Sequence, residues 1–291
     1  MEDVVATVTQ LRPEPGRPAA FFDLDKTVIA KSSTLAFSRP LYRAGFLNRR
    51  ALLKAAVGQL VYMMVGADHD QIERLRDQLQ ALTRGWDRYE IERIVRETVD
   101  EVIAPHVFAE ALAVIDDHRR SGHRVVIVSS SPEEVVRPLA RHIGLHEVIA
   151  TRSRVDANGR YTGEIEFYAY GPRKAEAVVD YAARNDIPLP DSYAYSDSAT
   201  DLPMLEAVGH PVAVNPDREL RNAARERGWD IMEFKRPVTL RTRLATLPTP
   251  VPIISGAAVV IVLGAVALLL ILRNRTRIPV LYGRVSERLF R

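Results

Sequence analysis

Ala19-Ala20-Phe21-Phe22-Asp23-Leu24-Asp25-Lys26-Thr27 is the stretch on which the fold turns. Four apolar residues in a row suit a buried strand, and the abrupt change to Asp-Leu-Asp puts acidic groups at its end. Side chains two apart on a strand point the same way, so Asp23 and Asp25 share a face if the strand runs that far. Such a pair suits phosphoryl transfer. One carboxylate attacks phosphorus and forms an acyl phosphate. The other protonates the departing oxygen, then takes a proton from the water that hydrolyses the intermediate.

Upstream of this strand, residues 1–18 hold Pro13, Pro15, Gly16 and Pro18 and are expected to form a loose leader. The acidic start, Met1-Glu2-Asp3, does not resemble a secretory signal peptide. Downstream, residues 31–111 turn helical. Ile72, Leu75, Leu79 and Leu82 follow Asp70 at helical spacing, and Ile91, Ile94, Val95, Thr98 and Val102 form a second stripe stopped near Pro105. Ala51–Val65 is apolar but too short to span a bilayer comfortably. After residue 111 helices and strands alternate. Helix 109–120 leads into strand Arg124–Val128 and a helix after Pro132; helix 173–184 precedes strand Ser192–Tyr195, and strand Val212–Val214 precedes helix 217–227. That order predicts an α/β fold with a parallel sheet covered on both faces. The helical segment 31–111 is then an insertion after the first strand.

Three further elements fall at strand ends or helix starts. Ser129 closes the apolar run Val125–Val128, where a phosphate oxygen can be bound beside a helix N-terminus. Ser131-Pro132-Glu133-Glu134 reads as N-cap, first-turn proline and capping-box acid, which gives Ser131 a structural reason to exist. Lys174 opens a helix, against the macrodipole, as a cation meant to neutralise an acyl phosphate would. Asp197 and Asp201 follow Tyr193-Ala194-Tyr195. A carboxylate there can join Asp23 in holding magnesium, which takes one or two carboxylates and keeps several waters. In open parallel sheets this edge is where ligands bind.

The set Asp23-x-Asp25-x-Thr27, Ser129, Lys174, and Asp197 with Asp201 resembles the four motifs of the haloacid dehalogenase superfamily, over about residues 19–235. More narrowly it resembles the phosphoserine-phosphatase-like branch, with a helical cap inserted after the first motif. The resemblance implies a Rossmann-like doubly wound core at 19–30 plus 112–236 and a cap at 31–111. It implies a Mg²⁺-dependent phosphatase acting on a phosphorylated small molecule or lipid. By motif, Asp23 is the nucleophile and Asp25 the acid/base. Asp23, the Asp25 backbone carbonyl and Asp197 are the metal ligands, Ser129 and Lys174 bind the phosphate, and Asp201 supports the metal site. Dehalogenating members lack an acid where Asp25 stands. Phosphoserine phosphatases carry a Glu nine residues after the nucleophile, where this chain has Ser32, so phosphoserine is in doubt as the substrate. Phosphotransfer to an alcohol, or a non-catalytic membrane adaptor of the same fold, are the alternatives.

The charge and the tail address partners. The net charge is +3, but the last 19 residues carry six Arg and one Glu, which leaves the rest slightly acidic; a nucleic-acid partner is not expected. There is no cysteine, which excludes disulfides and thiolate metal sites. After a Pro-containing linker at 237–250 comes Val251–Leu272, 22 residues without a charge. A helix of that length extends about 33 Å and predicts a single-pass membrane anchor, with a basic tail at 273–291. Lys235, Arg236, Arg241 and Arg243 precede the span, and Arg273, Arg275 and Arg277 follow it. These charges leave orientation conflicted. A cytoplasmic catalytic domain is expected, because no signal peptide is evident.

Overall fold

The computed structural model describes residues 16–47 and 83–235. β1 (Ala19–Asp23) is buried at every position, as its unbroken apolar run requires. It sits at the centre of a sheet completed by β2 (Arg124–Pro132), β3 (Glu147–Val155), β4 (Tyr161–Phe167), β5 (Tyr193–Ser196), β6 (His210–Val214) and β7 (Asp230–Met232). The strand order is β4-β3-β2-β1-β5-β6-β7. All neighbours are parallel except β3 and β4. The chain runs outward from β1 on one side, then returns to lay β5 against its other side. That reversal opens a crevice at the strands' C-terminal ends, between β1 and β5.

Alternation along the central strands divides the core in two. Phe22, Ile127, Tyr195 and Val212 pack with Ala111 and Ile115 of α4 (Ala109–Arg120) and with Val136 and Leu139 of α5 (Glu133–His142). Phe21, Val126, Ala194 and Ala213 face the other way. They meet Val178 of α6 (Pro172–Arg184), Met204 of α7 (Leu202–Glu206) and Leu220 of α8 (Arg218–Arg227). The expected α/β sheet covered on both faces is therefore present.

Within the segment read as a helical insertion, two short helices, α1 (Ser33–Ala36) and α2 (Ser38–Arg43), follow β1. α3 (Arg88–Val102) matches the second predicted stripe: Ile91, Ile94 and Val95 are buried. The Thr98 hydroxyl donates to the Ile94 carbonyl inside the helix, and Asp87 caps it by accepting from the amides of Tyr89 and Glu90. The buried face of α3 joins the same apolar cluster as Phe22 and Leu139. The stripe at 72–82, the apolar segment 51–65 and the span Val251–Leu272 lie outside the described residues. No described helix is long and apolar enough to cross a membrane.

The β3–β4 hairpin departs from the expected alternation of strand and helix. Its outer positions are charged and pair across the strands, Arg152 with Glu166 and Arg154 with Glu164. An edge strand with one wet face lacks the apolar run that marks β1 and β2. The turn at Asn158-Gly159, with Gly159 at φ 76°, is the signal for it in the sequence.

Candidate active site

β1 ends at Asp23, so strand alternation does not carry Asp25 to the site. A tight turn does. The amides of Val28 and Ile29 both donate to the Leu24 carbonyl, and Lys26 takes a left-handed φ of 63°. That conformation is unusual for a residue with a side chain and marks a backbone held by its surroundings. The strand stops short of what a shared face for Asp23 and Asp25 requires, and the turn, not the strand, places Asp25.

At the edge formed by β1, β2 and β5, the six predicted residues fall within one crevice. In register Asp23 lies beside Val128 and Phe22 beside Tyr195, so Ser129 and Ser196 stand one step beyond on either side. Lys174, in the first turn of α6, is 2% exposed and reaches into the same place. Its Nζ donates to Asp23 Oδ1 and to Asp201 Oδ2, both at 2.6 Å. The Ser196 hydroxyl also donates to Asp201 Oδ2, at 2.7 Å. Buried lysine is rare unless paired, and here the pairing is double. Ser129 is buried in line with them, and its Oγ accepts from the Ser131 amide at 3.2 Å.

Asp197 is also buried, and it pairs with the exposed Lys26, whose Nζ lies 4.0 Å from Oδ2. The Asp197 loop is held by Asp217, a residue the sequence suggests only as a helix start. Asp217 donates its own amide to the Asp197 carbonyl at 2.8 Å. Its carboxylate accepts from the amides of Ala199 and Leu220.

Charge at this edge is out of balance. Asp23, Asp197 and Asp201 are buried around one buried ammonium. Burial pushes the Asp23 carboxyl well up; Lys174 opposes this, while Asp201 and Asp197 reinforce it. Burial likewise lifts Asp197 to about 6, with Lys26 opposing and Asp201 adding to it. For Lys174 burial works downward, but the carboxylates of Asp201 and Asp23 outweigh it and leave the ammonium firmly charged. A cation placed among these carboxylates would offset their mutual repulsion. No group of three acidic or imidazole side chains among the described residues forms a ready cage for a metal. Two carboxylates, Asp23 and Asp197, with the Asp25 carbonyl make an all-oxygen set of the kind magnesium accepts with its waters retained.

Ser131 is a correction. α5 begins after Pro132 with no side-chain cap, so Ser131 does not cap it. Its Oγ instead donates to Asp25 Oδ2 at 3.2 Å and accepts from the Ser33 hydroxyl at 2.9 Å. The Thr34 hydroxyl lies 3.0 Å from the same oxygen. On the other side, the Ser33 amide donates to Asp25 Oδ1 at 2.9 Å. Burial raises the Asp25 carboxyl, and these bonds oppose the shift. Ser32 precedes α1 and makes no side-chain capping bond.

Residues 20–206 match the model of the haloacid dehalogenase-like hydrolases. The chain belongs to that family. A relative from Mycobacterium tuberculosis described as a probable phosphatase is 52% identical over 84% of this chain and 84% of its own. A phosphoserine phosphatase of the same organism is 33% identical over 82% of this chain and 77% of its own. A Bordetella pertussis protein of unknown function has a crystal structure that superposes with a TM-score of 0.65. It is 30% identical and covers 75% of this chain and 98% of that one. This haloacid dehalogenase-like hydrolase is accordingly an enzyme, a phosphatase.

Proposed function

We propose that this phosphatase hydrolyses a phosphomonoester through an aspartyl-phosphate on Asp23, with Asp25 as acid and base. The observation that carries the reading is the buried Lys174 shared at 2.6 Å by Asp23 and Asp201. Lys174 engages Oδ1 of Asp23, which leaves Oδ2 to attack phosphorus. As the Asp23–phosphorus bond forms, the bond to the ester oxygen breaks and that oxygen takes the proton of Asp25. Water then attacks the same phosphorus, Asp25 recovers a proton from it, and Asp23 is released as carboxylate. Ser129 and Lys174 bind the phosphoryl oxygens, and Asp201 keeps Lys174 in place. Asp23, Asp197 and the Asp25 carbonyl would hold Mg²⁺, whose charge offsets that of the phosphate.

The substrate class is a phosphorylated small molecule or lipid. By the resemblance to phosphoserine phosphatases, Ser32 occupies the place of their amino-group-binding Glu, and its neutral hydroxyl argues against phosphoserine. Anchoring by Val251–Leu272 with the enzyme on the cytoplasmic side is part of the same proposal, and the linker 237–250 would keep the site near the inner leaflet. Carbonate-washed membranes should retain the full chain and release one ending at residue 245; release of both would remove the anchor from the proposal.

The mechanism is tested with ³²P-labelled substrates, an aryl phosphate, phosphoserine and a phosphorylated lipid, in Mg²⁺ and in chelator. Wild type should trap label on Asp23 only with Mg²⁺, and Asp23→Asn should neither label nor turn over, a loss on the order of 10⁴-fold or more. Turnover near the wild-type rate in Asp23→Asn would refute the nucleophile.

A further inference from the structure

We propose that Ser131 is a positioning residue for the acid/base, held by Ser33 and Thr34 at the start of α1, so that the inserted segment and β2 together aim the Asp25 proton. The proposal rests on the assignment of Asp25 as acid and base made above.

The observations are geometric. Ser131 is 5% exposed, and its hydroxyl lies at the junction of three side chains. Ser33 Oγ donates to it at 2.9 Å, Thr34 Oγ1 lies at 3.0 Å, and it donates to Asp25 Oδ2 at 3.2 Å. Ser33 also engages the other carboxyl oxygen through its amide, at 2.9 Å. Both oxygens of Asp25 are therefore addressed, but by different kinds of partner. A backbone amide can only donate, so Oδ1 is fixed as an acceptor throughout the cycle. A hydroxyl donates or accepts by rotating about its C–O bond. Ser131 can donate to Oδ2 when Asp25 is a carboxylate and accept from it when Asp25 carries its proton. The proton is thereby kept on Oδ2, the oxygen whose direction Ser131 sets.

The same arrangement explains two features that a capping role leaves unused. β2 continues through Ser131 and shifts register against β3 between Ser129 and Pro132, with the Ser130 carbonyl tied down by the Thr151 hydroxyl at 2.7 Å. The Ser131 amide is secured on Ser129 Oγ. The residue that binds phosphate in the proposed mechanism and the residue that aims the proton are thus one hydrogen bond apart. Ser33 and Thr34 bring in the third party, the chain entering the insertion.

In the reaction the proton passes from Asp25 to the ester oxygen while the phosphorus–oxygen bond breaks, and returns to Asp25 from water in the second step. The first step demands most of the acid when the leaving oxygen is a strong base, and least when it is an acidic phenol. Values of kcat/KM report that step. We would measure them for 4-nitrophenyl phosphate, phenyl phosphate and an alkyl phosphate with wild type, Ser131→Ala and Asp25→Asn. Ser131→Ala should lose about tenfold on the alkyl ester and much less on the nitrophenyl ester, with KM little changed. Asp25→Asn should show the same trend more steeply. An equal loss on all three esters, or none, in Ser131→Ala while Asp25→Asn shows the trend would overturn the positioning role alone. If Asp25→Asn itself shows no trend, the acid/base assignment falls first. Should Ser131→Ala fail to fold, Ser33→Ala removes the hydroxyl that supports it and decides in the same way, a flat loss overturning the proposal.

Discussion

The two ends of the central strands bury polar groups in opposite ways. At the C-terminal end, three carboxylates crowd one ammonium; burial lifts Asp23 and Asp197, and the neighbouring Asp201 adds to the shift of each. Toward the N-terminal end, His118 of α4 bonds Tyr195 Oη through Nε2 at 2.7 Å and His123 through Nδ1 at 2.8 Å. Phe22 stacks on Tyr195 at 4.3 Å between centroids, and Tyr193 stacks between His123 and His210. Burial first, then the neighbouring His123, pushes His118 down to about 4, so its ring is neutral, and both of its nitrogens are bonded inside the cluster. A buried polar group that is hydrogen-bonded and neutral is tolerated by the fold, whereas a cluster of buried charges with shifted carboxylates marks a candidate functional site.

The sharpest way to break this contrast is to remove Lys174, the one buried cation among the described residues of the active edge. Lys174→Met leaves Asp23 and Asp201 facing each other without it, which should cost about 3–5 kcal/mol in denaturant unfolding. It should also lower kcat by about 10²–10³-fold. Adding Asp201→Asn should recover part of the stability and none of the activity, because the repulsion is relieved while the phosphate still lacks its cation. Wild-type stability and turnover in Lys174→Met would mean that the ammonium balances nothing.

Much of this was legible in the sequence because parallel central strands are buried on both faces and read as apolar runs. Phe21-Phe22-Asp23 and Ile127-Val128-Ser129 announce both a strand and the chemistry at its end. The β3–β4 hairpin was not, since its wet face carries Arg152, Arg154, Glu164 and Glu166, which mimic a loop. Ser131 was misread for a different reason. Its sequence neighbours Pro132, Glu133 and Glu134 fit a cap, and only the approach of Ser33, 98 positions away, shows where the hydroxyl goes. The histidine cluster has no local signature either, since His118 and His123 are five apart across a turn and His210 arrives on β6. Contacts across long stretches of chain depend on the sheet order, and no local pattern encodes that.

The smallest expected effect lies at the neutral end and appears only in acid. His118 faces His123 across Nδ1, Tyr195 across Nε2 and the ring of Tyr193, with Asp117 beside it on α4. Its value in the folded protein, about 4, lies below the ordinary 6.5, because burial favours the neutral ring. The unfolded chain thus binds a proton more readily than the native one between those values. Stability from His118 is complete above about pH 6.5 and is lost as pH falls toward 4, by at most about 3 kcal/mol. His118→Gln keeps a side chain that can bond Tyr195 but cannot protonate there. Its stability at pH 7 should fall modestly, while the drop between pH 7 and pH 4.5 should shrink relative to wild type. Turnover at pH 7 should not change beyond what that small loss allows, since the cluster touches none of the reacting groups. Denaturant unfolding at the two pH values decides the matter: an unchanged drop in His118→Gln would mean that the acid sensitivity of the fold arises elsewhere and that this end of the sheet is not held by a neutral histidine.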